Sequence, residues 1–218
     1  MIGVNVPINS TMTADDLLFY ICKVANLKES PTKLCVCECV SNDQLERVIH
    51  YSERIKQITL SWNLRWAQID AKDNYLLIKC NSLYEELDDY FDKGIDAPPS
   101  LFSEVRFSEE GKSFKKVFLE FTNSKFNIFK DAKATKSLVN WSLEDVTWYL
   151  GCEKKRNSPS RFCITLINKD EPIQRQKEMI LSKVISFNTE EELSRWLAAI
   201  ICCEHPEGLY INFILFSI

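Results

Sequence analysis

The chain has 218 residues, enough for one large domain or for two domains of about 100 residues each. Hydrophobic residues make up 45% of it, which favours packed cores and argues against general disorder. The formal net charge of −4 argues against a surface that binds polyanions throughout, so we expect no nucleic-acid partner.

The first 81 residues have the strand and helix pattern of a small mixed domain. Alternating apolar residues predict a strand over residues 2–8. Thr13 is the predicted N-cap of a helix with Asp15 and Asp16 in its first turn. Further segments are predicted as a strand at 34–40, a short strand at 46–51, a short helix at 55–62 and a strand at 75–80. This order predicts a ubiquitin-like β-grasp that lacks its first strand, over residues 1–81.

Nine cysteines raise the question of a metal site, but their spacing does not favour one. Cys35, Cys37 and Cys39 alternate, so their side chains leave one face of the predicted strand. The chain has no C-x-x-C pair and two histidines, whereas tetrahedral zinc needs a second group of ligands. We therefore expect no metal and no other cofactor, and we interpret the cysteines as small buried apolar residues in a reducing cytosol.

Residues 82–100 predict an acidic helical linker between two domains. Six Asp and Glu residues and one Lys give this stretch a charge of −5. Gly94, followed by Pro98 and Pro99, predicts a domain boundary. At the other end of the chain, residues 206–218 are a predicted apolar tail, shorter than the roughly 20 residues that a membrane-spanning helix needs.

Residues 101–205 change to short strands separated by polar turns. The predicted strands are residues 102–107, 116–121, 125–129, 137–142, 147–150, 162–167 and 180–187. A helix then begins at the N-cap Thr189 and carries Trp196 on its apolar face. Seven strands and one such helix predict a pleckstrin-homology (PH)-like barrel capped by its C-terminal helix. The predicted fold class of the whole chain is α+β.

Three stretches resemble a known family. NDQLERVIHYSERIKQITLSW (residues 42–62) resembles part of the Ras-associating domain of the Arf-GAP and Rho-GAP proteins with ankyrin repeats and PH domains, the ARAP family. NWSLEDVTWYLGCEKKRNSPSRFCITL (residues 140–166) is similar to part of the last PH domain of that family. NTEEELSRWLAAI (residues 188–200) is similar to the final helix of the same domain. The order agrees with the C-terminal Ras-associating plus PH region of these proteins, so we expect the resemblance to extend to about residue 208.

The resemblance implies a non-catalytic targeting or adaptor region of a GTPase-activating protein that regulates Arf- and Rho-family GTPases. The sequence carries no Gly-rich phosphate loop, no H-E-x-x-H motif and no nucleophile elbow, so we expect no catalytic residues. The expected location is the cytoplasm, with peripheral recruitment to membranes. One alternative is a protein–protein scaffold whose PH fold binds no lipid, and another is a fragment without a binding role of its own.

The resemblance implies a GTPase site on the first predicted strand and helix. In Ras-associating domains a strand pairs with an edge of the GTPase, and basic side chains meet its acidic surface. The expected partner is a Ras/Rap-like or Rho-like small GTPase. The candidate residues are Val4, Asn5, Val6, Lys23 and Lys28. The alternative is that both lysines are solvated residues that suit the negative end of a helix.

The resemblance also implies a phosphoinositide site on the second domain, and therefore an anionic membrane as partner. The candidate residues are Arg106, Lys112, Lys115, Lys116, Lys125 and Lys130. Residues 106–161 carry twelve basic and seven acidic residues, a charge of +5. Lys116 stands where the family has an arginine, so a bidentate phosphate donor is replaced by a point charge. The alternative is a solvated basic face that attracts anionic lipid without recognising a headgroup.

Two further expectations concern the second domain. Lys154, Lys155 and Arg156 are predicted to form a solvated turn. Trp148 lies beside Tyr149 on a predicted strand. Of the five tryptophans, it is our candidate for an exposed ring that contacts a partner.

Overall fold

The computed structural model describes residues 5–40, 44–65, 74–81, 100–133, 135–169, 173, 175–176 and 179–204. The chain divides into two compact units, Met1–Asn81 and Ser82–Ile218. Val4, nearly all of the predicted acidic linker and the predicted tail at 206–218 lie outside the described residues.

The first unit consists of two helices and a three-stranded antiparallel sheet. The helices are α1 (Ala14–Ala25) and α2 (Ile55–Arg65). The strands are β1 (Leu34–Val40), β2 (Leu45–Val48) and β3 (Asn74–Cys80), in the order β3-β1-β2. The helices and strands predicted from residue 13 to residue 80 are therefore confirmed, although β2 ends three residues before the predicted end of its strand.

The strand predicted at residues 2–8 is wrong in its described part, because residues 5–9 have no regular secondary structure. Pro7 has no backbone N–H to donate to a neighbouring strand. The Asn9 side chain instead starts a turn, accepting hydrogen bonds from the backbone N–H groups of Thr11 (2.9 Å) and Met12 (2.8 Å). The alternation of apolar residues is present in the sequence, but no ladder forms in its described part, residues 5–8.

Helix α1 begins at a capping box. The Asp16 N–H donates to the Thr13 hydroxyl (3.2 Å), and the Thr13 N–H donates to the Asp16 carboxylate (3.0 Å). The buried face of the helix carries Leu17 and Leu18, which share a core cluster with Val36 of β1. Capping and apolar spacing together orient α1 with one face on the sheet and the other in solvent.

The two faces of β1 have different environments. Cys35, Cys37 and Cys39 form one buried cluster, as their alternation predicted. Glu38 points to the opposite face and is 2% exposed. Its carboxylate accepts hydrogen bonds from Trp62 Nε1 (2.7 Å) and Arg47 Nε (2.9 Å), which satisfy a charge that would otherwise be costly to bury.

The second unit is an antiparallel barrel-like sheet followed by one helix. Its main strands are β4 (Leu101–Glu109), β5 (Lys115–Thr122), β6 (Lys125–Phe129), β7 (Ser137–Ser142), β8 (Val146–Leu150), β9 (Cys163–Asn168) and β12 (Lys183–Ser186). They lie in the order β8-β9-β12-β4-β5-β6-β7. A separate two-stranded hairpin consists of β10 (Arg175–Gln176) and β11 (Met179–Ile180).

The last predicted strand, at residues 180–187, is interrupted. The Ile180 N–H donates to the Glu153 carboxylate (2.9 Å), and the Ile180 carbonyl accepts from Arg156. Side chains therefore take the backbone groups that would have continued the ladder of β12. As a result, β12 begins at Lys183, and Ile180 belongs instead to the hairpin strand β11, which ends two residues before Ser182.

Helix α3 (Glu190–Glu204) closes the second unit. Trp196 is 1% exposed, packs on Phe121 and Phe187, and donates from Nε1 to the Ser103 hydroxyl (3.1 Å). The Thr189 hydroxyl caps the helix by accepting from the Glu192 N–H (3.2 Å). The prediction of a C-terminal helix with a buried tryptophan is confirmed.

Trp148 on β8 is buried, so the expectation of an exposed tryptophan there is wrong. Its ring is 3% exposed, and its Nε1 donates to Glu204 near the end of α3 (2.8 Å). The sequence showed an apolar strand but not the helix end that covers it. Trp148 therefore belongs to the packing of the helix, and it does not offer a ring to a partner.

Candidate functional site

The basic residues predicted to bind phosphoinositide do not all lie together. In this antiparallel meander the β4–β5 loop and the β6–β7 loop lie at the same end of the sheet, which we call the basic end. The residues found there are Arg106, Lys112, Lys115, Lys116 and Lys130. Lys125 pairs with Thr122 at the turn of the opposite end, about 20 Å along β5 from Lys116. The structure therefore groups five of the six candidates and separates Lys125 from them.

The β4–β5 hairpin presents its basic residues on two different faces. Arg106 lies directly opposite Lys116, and Phe107 lies opposite Lys115. Side chains alternate along a strand, and the buried residues Val105 and Val117 identify the inner face. Lys115 and Phe107 share that inner face, whereas Arg106 and Lys116 are on the outer face of the sheet.

The ion pairs at the basic end are exposed. Lys116 Nζ lies 2.7 Å from the Glu104 carboxylate, and Lys112 Nζ lies 3.7 Å from that of Glu110. Exposed pairs of this kind contribute about 0–1 kcal/mol, so an incoming anion can exchange with the carboxylate at little cost. Arg106 has no carboxylate partner in the described part of the chain.

Aromatic rings pack together on the inner face of the second unit. The Trp141 ring stacks between Phe107 (6.0 Å between centroids) and Phe126 (5.5 Å). Lys183 Nζ lies 5.8 Å from the Trp141 centroid. Our sequence-based prediction missed Lys183, because it is distant in sequence from the β4–β5 hairpin and no local motif marks it.

The β6–β7 loop adds more charge to the basic end. Lys133 and Lys136 are both exposed there, together with Lys130. Three lysines within seven residues were a visible signal in the sequence, but only the antiparallel pairing of β6 and β7 shows that this loop lies at the same end as the β4–β5 loop.

Arg156 is not part of a solvated turn, so that prediction is wrong for this residue, although Lys154 and Lys155 are exposed. The guanidinium donates to the Glu153 carboxylate (3.1 Å), to the Ile180 carbonyl and to the Ser182 hydroxyl (2.6 Å). We call this group of side-chain contacts the Glu153–Arg156 clasp. It holds residues 180–182.

The segment that the clasp holds also supports the β4–β5 turn. The Glu110 N–H donates to the Ser182 carbonyl (2.9 Å). Gly111 has φ +74°, a backbone conformation that favours glycine, and a Cβ there would lie 3.0 Å from Met179 Cε, so the methionine side chain would have to shift. The clasp thus fixes the segment against which the basic turn rests.

In the first unit, α1 exposes a face that is both basic and apolar. Lys23 and Lys28, predicted from the sequence, are exposed at the end of this helix and just after it. Our sequence-based prediction missed the large exposed apolar side chains beside them. These are Phe19 (40% exposed), Tyr20 (37%), Val24 (54%) and Leu27 (38%). The spacing of three of them, at positions 20, 24 and 27 on the side of Lys23, was the signal that could have identified them.

The other predicted GTPase-binding residues are placed differently. Val6 is partly buried and packs against the core of the first unit, whereas Asn5 is exposed. Neither lies in a strand, so the described residues 5–9 offer no strand edge for pairing with a partner. Val6 therefore contributes to the core and not to the exposed face of α1.

The fold of the chain is that of a Ras-associating plus PH pair. A crystal structure of the coiled-coil, RA and PH domains of Lamellipodin matches it with a TM-score of 0.75 and 18% sequence identity, covering 94% of this chain and 84% of that one. The predicted α+β fold class, with a ubiquitin-like part followed by a PH-like part, is confirmed. No family model matches the chain.

Among curated proteins, the chain is similar to Arf-GAP with Rho-GAP domain, ANK repeat and PH domain-containing proteins. It is 21% identical to protein 2 of Mus musculus over 205 residues and 22% identical to protein 3 of that species over 209 residues. Protein 2 of Homo sapiens is 23% identical over 211 residues. These matches cover 93–94% of this chain and 11–13% of the relatives' length. The resemblance to this family predicted from the three sequence motifs is confirmed.

Proposed function

We propose that this chain is a non-catalytic targeting region of a larger regulator of Arf- and Rho-family GTPases. Its first unit binds a Ras-like small GTPase, and its second unit associates with an anionic, phosphoinositide-containing membrane. The observation that carries the proposal is the combination of a Ras-associating plus PH fold with similarity to the Arf-GAP and Rho-GAP relatives over 93% of the chain. The corresponding location is the cytoplasm, with peripheral recruitment to membranes.

The exposed face of α1 supports GTPase binding by the first unit. Exposed Val24 and Phe19 provide apolar area to bury, while Lys23 and Lys28 provide positive charge toward an acidic partner. Because residues 5–9 are not a strand, we assign the contact to side chains of α1 and not to backbone pairing at the N-terminal segment.

Association kinetics with GTP-loaded Ras and Rap test this assignment. Lys23→Glu should slow association at low salt, and the difference should shrink as salt screens the charges. Val24→Ser should mainly speed dissociation, because it removes buried apolar area. Lys56→Glu, an equal charge change at an exposed position of α2, is the control. Identical rates for wild type and Lys23→Glu at low salt would contradict GTPase binding by α1.

The basic end of the second unit supports membrane association. Each basic residue near an anionic membrane surface contributes about 1 kcal/mol, so the five grouped candidates suffice for reversible recruitment. No helix in the described part of the chain is long and apolar enough to cross a membrane. The membrane association that we propose is attraction of these basic residues to an anionic surface.

Sedimentation with vesicles tests the membrane proposal. Vesicles of phosphatidylcholine alone, with phosphatidylserine, and with a phosphoinositide separate nonspecific attraction from headgroup recognition. Lys115→Glu combined with Lys116→Glu should weaken binding to anionic vesicles, whereas the equally exposed Lys125→Glu at the opposite end should change it little. If wild type binds none of these vesicles, the membrane proposal fails.

A protein–protein scaffold is the second candidate function, and one surface favours it. Phe102 is 46% exposed and stacks on Phe118 at 5.7 Å between ring centroids. Phe102 lies four residues along β4 from Arg106, about 13 Å away. This apolar area is separate from the basic end, so it suits a protein partner in a chain that binds no lipid.

A further inference from the structure

We propose that Cys152 and Cys163 form a redox-active pair of thiols that hydrogen peroxide oxidises to a disulfide. Cys152 lies near the start of the β8–β9 loop (residues 151–162), and Cys163 is the first residue of β9 after it. The loop between them carries the Glu153–Arg156 clasp. The inference concerns the second unit alone and does not depend on the proposed GTPase or membrane binding.

The fold brings the two thiols together. The Gly151 N–H donates to the Cys163 carbonyl (2.8 Å), so Cys152 directly follows a residue that is bonded to Cys163 through the backbone. The side chains of Cys152 and Cys163 hydrogen-bond to each other, and both are free thiols in the structure. The two sulfurs therefore start at hydrogen-bonding distance, although the whole loop separates them in sequence.

Cys163 is buried in polar surroundings. The residue is 0% exposed. Its Sγ lies 3.0 Å from Ser158 Oγ, and Ser186, directly opposite in β12, also hydrogen-bonds to it. The hydrogen bond with Cys152, followed by those with Ser158 and Ser186, lowers the pKa of Cys163 to about 7, although burial raises it. About half of this thiol is therefore ionised at neutral pH, and the thiolate is the nucleophilic form.

The partner thiol keeps its proton. The hydrogen bond to Cys163, and then burial, raise the pKa of Cys152, whereas the nearby charge of Arg156 lowers it by less. One proton is thus held between the two sulfurs near neutral pH. Cys152 and Ser158 are only half-buried, so a small uncharged molecule such as hydrogen peroxide can reach the pair from the side of the loop.

The other buried thiols differ from this pair. Burial raises the pKa of Cys39 to about 11 and that of Cys202 to about 12. Cys35 and Cys37 also touch, with 3.7 Å between their sulfurs, and their hydrogen bond lowers the pKa of Cys35. They lie two positions apart on one strand, so their Cα atoms are about 6.7 Å apart, at the upper end of the range that a disulfide spans. That pair is an internal comparison with thiol contact but less favourable backbone geometry.

The proposed reaction consumes one peroxide for each disulfide. The Cys163 thiolate attacks an oxygen of hydrogen peroxide, the O–O bond breaks, and Cys163 becomes a sulfenic acid while hydroxide leaves. The hydroxide takes the Cys152 proton and becomes water. The Cys152 thiolate then attacks the Cys163 sulfur, the S–S bond forms, and a second hydroxide leaves and takes a proton from solvent. The two thiols lose two electrons, and the peroxide gains them.

The disulfide restricts the loop that carries the clasp. A cross-link between the two ends of a loop lowers the conformational entropy of the unfolded chain. Protected amides of β9 should therefore exchange with solvent about tenfold more slowly, or slower still, in the oxidised form than in the reduced form. In a reducing compartment such a bond is transient, so the pair suits a redox sensor.

Mass spectrometry of the full chain after brief exposure to hydrogen peroxide tests the proposal. Trypsin cleaves after Lys154 and Arg161, so Cys152 and Cys163 fall in different peptides with one cysteine each. We expect these two peptides to be joined, with the loss of two hydrogens, before any other pair of cysteines is joined. Dithiothreitol should separate them, and denaturation before oxidation should abolish the preference.

Variants test the roles of the two sulfurs. Cys152→Ser should leave Cys163 as a sulfenic acid that dimedone traps. The initial rate for wild type should reach half of its maximum near pH 7 and level off above about pH 8, because the thiolate reacts. Ser158→Ala removes a hydrogen bond to the thiolate, so the midpoint of this pH profile should move up. Cys80→Ser, at an exposed cysteine of the first unit, is the control and should leave the rate unchanged.

Three results would overturn the inference. Absence of the joined peptides in folded wild type would show that the pair does not close. Earlier joining of Cys35 and Cys37, or equal joining in folded and denatured chains, would show that the fold does not favour Cys152 and Cys163. A rate that does not change between about pH 6 and pH 8 would show that the Cys163 thiolate is not the nucleophile.

Discussion

Replacing Arg156 by methionine should destabilise the second unit by about 3 kcal/mol. The change removes the donors to the Ile180 carbonyl and the Ser182 hydroxyl, and it takes the Arg156 cation away from the Glu153 carboxylate. Glu153 is 5% exposed, and breaking one partner of a buried pair typically costs about 3–5 kcal/mol. We expect the lower end of that range for two reasons. The Ile180 N–H still donates to Glu153 in the variant. Arg156 Nη1 is buried without a hydrogen-bond partner in the described part of the chain, so its burial already lowers the stability of the wild type.

Native-state hydrogen exchange of β9 and β12 measures this free energy for the second unit alone, without contributions from the first. The double variant Glu153→Gln with Arg156→Met removes both charges, so it should lose about 1–2 kcal/mol less than Arg156→Met. Lys154→Met, at the exposed position next to Glu153, is the control and should change the opening free energy little. A loss below 1 kcal/mol for Arg156→Met, or a double variant as unstable as the sum of the single changes, would refute the role of the clasp.

Two further predictions concern the first unit. Thr13→Ala should lower the opening free energy of the first unit by about 1 kcal/mol, because the Asp16 N–H loses its hydrogen-bond acceptor. Thr13→Ser keeps a hydroxyl and should retain most of that free energy. Equal opening free energies for both variants, measured by hydrogen exchange, would contradict the capping role. Burial, with a smaller contribution from Glu46, raises the pKa of Cys39 to about 11, so roughly 0.1% of that thiol is ionised at pH 8. Iodoacetamide should therefore label the exposed Cys80 long before Cys39, as followed by mass spectrometry. The labelling rate of Cys39 should increase about tenfold per pH unit. Comparable labelling rates for Cys80 and Cys39 at pH 8 would refute the burial of Cys39.

The sequence by itself determined the features that depend on near neighbours. The Thr13 cap acts on a residue three positions away, and the alternation of Cys35, Cys37 and Cys39 follows from the period of a strand. The resemblance to the Arf-GAP and Rho-GAP relatives is likewise visible in short stretches and is confirmed. The GTPase-binding and phosphoinositide-binding residues remain predictions. They too were chosen from residue types within short stretches of the sequence.

Only the tertiary structure decided the features that depend on distant partners. Arg156 is buried because Ile180 and Ser182, 24 and 26 positions away, accept its hydrogen bonds. Trp148 is covered through Glu204, 56 positions away. Lys125 is separated from the other candidate lysines by the register of β5 and β6 and not by its distance in sequence. Strand pairing and packing between remote segments determine whether a side chain is buried and on which face of the sheet its charge lies. The local sequence pattern does not contain this information.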